Sequence, residues 1–424
     1  MGKKYNIVVQ EEHISVTAEP GGIYVTHLTP VGGKGKEIGD AVVAYLTECN
    51  LVESWLVVGG DSTAANTGAE KGAFACIETN LERKLLRIVC TLHLNELPLR
   101  HVFSDVDGPT SSDKTFTGAI GKLVVGVEEL EWNDKFEKIT DGPGLPDISS
   151  ELVADLSTDQ YILWKVFESL RNGTITPELR SLTPGPICMS RWLTLAIRTG
   201  ILKMKKHGLK GKNKRNLDTI VHFLMVMYIP MWFTVKQKSN IKYGSIHFFK
   251  QMELTRLLRE PVRSIVRHNL ALNSYWAHSE VLLLAMLADS DKPIREKGVK
   301  QILFMRGGNN KGDDSIRKFV KPSLNFDAET YPDMIDWNVE EIHEPVLTCK
   351  MTISDIKDLV ETPLFVPAYP SHTQSVERQV KQTTRASAAV AGYSARDGFI
   401  RSSAAARKLL PKFESKKDFQ NNFV

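Results

Sequence analysis

The sequence predicts an α/β fold: a mixed sheet with helices on it, interrupted by a large, mainly helical segment. Short β-branched runs alternate with helix-period segments over the first hundred residues. Helical patterns without strands dominate from about 151 to 320. Between them, 104–150 is rich in Gly, Pro, Asp and Ser, the composition of loops.

The elements follow in order. "YNIVVQEEHISVTAE" has strand composition, Pro20-Gly21-Gly22 makes a turn, and "IYVTHLTP" is a second strand, so the pair reads as a hairpin. "GKEIGDAVVAYLTECN" carries apolar residues at helical spacing. "SWLVVGG" is a nearly all-apolar strand of the kind buried on both faces. "TGAEKGAFACIETNL" reads as one helix, and "KLLRIVCTLHLNELPLRHVF" as a strand running into a helix. The later helices include "TDQYILWKVFESLRNG", 217–235 and "YWAHSEVLLLAMLADSDKPIREKGVKQILFMRG". Residues 325–361 hold ten acids against two lysines, whereas 371–412 hold eight Lys and Arg against two acids within helix-forming sequence.

The chain has 424 residues, enough for a large core and more than one domain. Its apolar content of 42%, charged content of 25% and net charge of +4 are ordinary for a globular protein and select no partner by themselves. Cys49, Cys76, Cys90, Cys188 and Cys349 are scattered and form no CxxC pair, which argues against a disulfide framework or zinc finger and for a reducing compartment. No cationic start runs into a long apolar stretch, and Asn6 stands where a myristoylation signal wants Ser or Thr. The most apolar window, 220–235, is short and broken by Pro230, so it reads as a buried helix rather than a membrane span.

Four stretches could carry chemistry. In "VVGGDSTAANTG", Asp61 ends a strand among glycines and small residues, where a phosphate or metal could approach; Asp and Ser before a helix equally suit a cap. "CTLHLNEL" sets Cys90 and His93 three apart; C-x-x-H is half a metal site without a visible second half, or a structural histidine beside a buried thiol. "KMKKHGLKGKNKR" holds seven basic residues in thirteen: Lys203, Lys205, Lys206, Lys210, Lys212, Lys214 and Arg215. Such a run suits sequence-independent contact with phosphates, or a solvated loop. Arg191 and Trp192 in "SRWLTL" could stack on a base or anchor a helix. In "PSHTQSVERQVKQTTRASAAVAG", Glu377 lies in helix-forming sequence, and Arg378, Lys381 and Arg385 make a basic stripe at three- and four-residue spacing.

In this order, "VVGGDSTAANTG", "CTLHLNELPL", "CMSRWLTL" and "VPAYPSHTQSVERQVK" resemble the catalytic core of hAT-superfamily DNA transposases. The resemblance implies a ribonuclease H-like mixed sheet interrupted by a large, mainly helical insertion. It divides the chain into a first part of the core (1–103), a loop-rich connection (104–150), the insertion (151–360) and a completion of the core with basic C-terminal helices (361–424). It implies that Asp61 and Glu377 are the second and third catalytic, metal-binding acids, holding Mg²⁺ or Mn²⁺. Asn66, Cys90 and His93 would lie near the site, and Trp192 would stack on an unpaired base.

The sequence also departs from the family. Glu96 follows Asn95 where the family has Leu, and no strand bearing the family's first acid precedes the hairpin. The family's amino-terminal zinc-finger domain is not seen either. The expectation is therefore a truncated or domesticated, transposase-derived nucleic-acid-binding protein, catalytically impaired and lacking the first strand. DNA is its expected partner, with self-association, no membrane role, and a nuclear or otherwise cytoplasmic location. The alternatives are an active metal-dependent transposase or nuclease that cuts and joins phosphodiester bonds, and a helical protein-interaction scaffold.

Overall fold

A computed structural model describes residues 14–18, 23–110, 115–187, 191–237, 241–307 and 319–366. The expected hairpin is present: Ile14–Ala18 (β1) pairs antiparallel with Ile23–Leu28 (β2), and the register shifts between Val16 and Thr17. After α1 (Gly35–Glu48), Val57–Gly60 (β3) pairs in parallel with Leu86–Val89 (β4). Among the described residues these are two separate two-stranded sheets, where one mixed sheet was expected. β-branched composition marks a strand, but long-range packing decides which edges pair.

The strand buried throughout is β4, not β3: all four β4 residues are buried, whereas in β3 only Val58 is. Leu86, Ile88 and Val89 of β4 enter the main core, while Val58 joins a smaller cluster with Phe74, Ile77 and Leu85. The helix expected over 67–81 begins only at Ala73 (α3, Ala73–Leu81), and a one-turn α2 (Ala64–Thr67) precedes it. Glycines make the break tight. A Cβ on Gly72 would lie 2.4 Å from the Gly68 nitrogen, and one on Gly35 would lie 2.2 Å from the Lys71 carbonyl oxygen.

Helix α4 (Thr91–Asp107) leaves β4 directly and sends Leu92, Leu94, Leu99, Val102 and Phe103 into the core. The stretch 104–150 is not all loop, since it holds the end of α4 and also α5 (Ala119–Val125). The helical part continues with α6 (Ser150–Asp155), α7 (Thr158–Asn172), α8 (Pro177–Ser181) and α9 (Arg191–Lys203). Ser157 caps α7 through a reciprocal capping box with Gln160.

Next comes a long helix: α10 (Gly211–Phe223), a π-helical segment at Leu224–Tyr228, and α11 (Ile229–Gln237). Pro230 lacks the N–H that would continue the ladder, which accounts for the local widening. Spanning Gly211–Gln237, this helix is longer than the apolar window suggested and is apolar enough to cross a membrane, but 78% of its apolar window is buried inside the protein. It is the spine of the core. α12 (Gly244–Leu254) packs against it; α13 (Val262–Leu272) packs on α4, α14 (Ser279–Leu287) on α12 and α15 (Lys292–Gly307), and α16 (Ile353–Asp358) on α15. One hydrophobic core runs from Leu86 to Val366.

Candidate functional site

The carboxyl ends of β3 and β4 bring Asp61, Asn66, Cys90 and His93 together. The Cys90 amide donates to the Gly60 carbonyl at 2.9 Å, so the parallel ladder delivers both strand ends to one place. Asp61 is exposed, and its Oδ1 accepts three hydrogen bonds: from the Thr63 amide (2.9 Å), the Thr63 hydroxyl (2.6 Å) and Asn66 Nδ2 (2.9 Å). That oxygen forms an Asx turn just ahead of α2, whose own N-cap is Thr63. Its Oδ2 accepts no hydrogen bond from the described residues.

Burial pushes the Cys90 thiol up to about 11, and the carboxylates of Glu96 and Asp61 push the same way against two backbone hydrogen bonds. Burial also holds the His93 imidazole below its ordinary value, with Arg100 adding to this and Asp61 opposing it. Asp61 and Glu96 therefore act on Cys90, and Asp61 and Arg100 on His93, within a single small region. His93, Glu96 and Arg100 recur at three- and four-residue spacing along α4, which sets them on one side of the helix. Glu96 and Arg100 are the residues sequence reasoning missed as site members. The helical periodicity through "HLNELPLR" was the signal available.

Cys90 is a poor nucleophile at neutral pH, because the thiol is held protonated. Among the described residues, no three His, Cys, Asp or Glu side chains converge to hold a metal ion. With Asp61 Oδ1 already taken, the described donors do not by themselves fit Mg²⁺ or Mn²⁺. Glu377, Arg378, Lys381 and Arg385 lie outside the described residues, so their placement beside Asp61 rests on the sequence alone.

The basic run divides in two. Lys203 pairs with Asp218 at 2.5 Å and Lys206 with Glu131 at 2.7 Å. Lys205 is buried, donates to the Leu130 carbonyl at 2.7 Å, and lies 4.0 Å from the centroid of the Trp132 ring. Burial lowers its ammonium from the ordinary value. Lys210, Lys212, Lys214 and Arg215, at the start of α10, are exposed, and their side chains form no ion pair with other described residues. Trp192 is half-buried and packs against the main core, the anchoring alternative of the two readings. Arg191 opens α9, and its side chain lies outside the described set.

A cleft of about 510 Å³ lies between loop 137–141, α10 and the start of α13. Asp141 stands 3.1 Å from His222 Nε2 and 3.7 Å from Arg259 in its wall, and the Lys203–Asp218 pair closes it. Charges of both signs alternate around it, so its lining selects no ligand class. No family model, curated protein or solved structure matches this chain.

Proposed function

We propose that the chain is a transposase-derived nucleic-acid-binding protein with a ribonuclease H-like core impaired in strand cleavage. The observation that carries this reading is the group of four exposed cations opening α10, Lys210, Lys212, Lys214 and Arg215, which are unpaired among the described residues. Cations with no internal partner are free to replace the counterions of a phosphate backbone. The transposase ancestry rests on the order of the motifs around Asp61, Cys90, Trp192 and Glu377. The impairment rests on the engaged Asp61 Oδ1. Fluorescence anisotropy with a labelled DNA duplex across a salt series tests it. Binding that weakens with salt is expected; no measurable binding at low salt would reject it.

One observation favours a second reading, metal-dependent cutting and joining. Asp61 Oδ2 is unpartnered among the described residues, and Glu96 brings a second carboxylate to the same thiol. Mg²⁺ is often held by one or two carboxylates together with substrate phosphates. In that case Asp61→Asn and Glu96→Gln should each abolish Mn²⁺-dependent nicking of DNA. Wild-type protein that leaves nicked and hairpin DNA uncut would end this reading.

A further inference from the structure

Buried ions cluster at the seam where the β4–α3 layer meets α14, and the Lys84–Glu280 pair crosses between the two. Glu78 Oε1 accepts from the Leu85 amide at 3.0 Å, and its Oε2 meets Arg87 at 2.5 Å. Lys84 Nζ lies 3.3 Å from Glu280 Oε2 and donates to the Glu344 carbonyl at 3.3 Å. The Glu344 carboxylate pairs with Arg306 of α15. Three cations therefore face three carboxylates: Lys84, Arg87 and Arg306 against Glu78, Glu280 and Glu344.

Two imidazoles share the space. His278, the residue that opens α14, lies 4.9 Å from the ring of His343 and 4.4 Å from that of Phe319. Tyr275 stacks on Phe319 at 5.4 Å. These rings line a void of about 20 Å³, and Glu280 Oε1, buried beside it, has no hydrogen-bond partner among the described residues. His343 lies 3.7 Å from the exposed carboxylate of Glu341. The charges acting on His278 are Lys84 and Arg87, with His343 beside it, and each disfavours a proton there, as burial does most of all. An imidazolium at His278 would be a fourth cation without a carboxylate of its own.

We propose that this seam is an acid-sensitive latch: protonation of His278 parts α14 from the β4–α3 layer and loosens the strand that leads into Cys90. The sign follows from linkage. His278 is held well below its ordinary value of 6.5 when the seam is closed, so the open form takes the proton first. The latch is fully closed above that value and weakens as pH falls below it. Glu280 works the other way, because burial raises its carboxyl and a proton there favours the closed seam; its ion pair with Lys84 limits this. From pH 7.5 to 5.5, the His278 contribution favours opening about tenfold.

The test is hydrogen exchange of the full chain by mass spectrometry at pH 7.5 and 5.5, corrected for intrinsic rates. Protection of 73–89 and 278–288 should fall about tenfold at the lower pH, while the reference helix Thr158–Asn172 holds. His278→Phe should abolish that loss, and Glu280→Gln should enlarge it. Should His278→Phe fail to fold, an NMR titration of the wild-type His278 ring decides, with a midpoint well below 6.5 expected. Equal protection of the seam at both pH values, an unchanged loss in a folded His278→Phe protein, or a ring titrating at its ordinary value would overturn the latch. None of these readouts involves nucleic acid, so the latch stands or falls apart from the proposed function.

Discussion

Replacing Lys210, Lys212, Lys214 and Arg215 together by alanine should flatten the salt dependence of DNA binding. All four are exposed at the start of α10 and unpaired among the described residues. Each phosphate neutralised on duplex DNA contributes about 0.9 to the slope of log affinity against log salt, so four contacts contribute about 3.6. Over a fourfold rise from about 50 to about 200 mM salt, the wild type should therefore lose about 150-fold more affinity than the variant. The substitutions should spare the helix, because alanine is the best helix former and Lys210, although it stands at the cap, makes no side-chain cap bond. Fluorescence anisotropy gives the slope, and circular dichroism checks the fold. Lys205→Met is the control: its ammonium is buried against the Leu130 carbonyl and Trp132. That change should leave the slope alone and lower stability by about 1–3 kcal/mol, the cost of an orphaned buried carbonyl. A folded quadruple variant with the wild-type slope, or a slope carried by Lys205, would refute the reasoning.

Three other outcomes are expected. Gly142 adopts φ +82°, and a Cβ there would sit 2.8 Å from the Val226 Cα, so Gly142→Ala should lower stability to urea by about 1–3 kcal/mol from the backbone conformation alone, with the clash adding to it. The Cys90 thiol, pushed up to about 11, should resist iodoacetamide at pH 8 while Cys49 is labelled, as read by peptide mass spectrometry; equal labelling of the two in folded protein would contradict the buried-thiol description. Asn95 donates to the Tyr228 carbonyl at 3.1 Å and accepts from Gln251 at 3.0 Å, both buried, so Asn95→Leu should cost about 1–3 kcal/mol for each orphaned group in a urea melt.

Local periodicity was enough to read the hairpin, α1, α4, α7 and the long apolar helix from the sequence, because each depends on side-chain spacing within a few residues. The spacing of Cys90 and His93 was legible for the same reason. Their approach to Asp61 was expected only through a family resemblance, and the parallel pairing of β3 with β4 supplies it physically. Other features had no local signal. Seven basic residues in one run look alike in the sequence, yet Lys205 and Lys206 find their partners at Leu130 and Glu131, 75 residues away, and the α10 cations find none among the described residues. The seam that joins Lys84 to Glu280 spans still more of the chain. Periodicity is written within one element, whereas burial and charge pairing belong to residues that meet only when distant elements pack. The sequence by itself therefore determined the elements with a strong local period, and the tertiary structure alone decided which charges are spent inside the fold and which stay unpaired among the described residues.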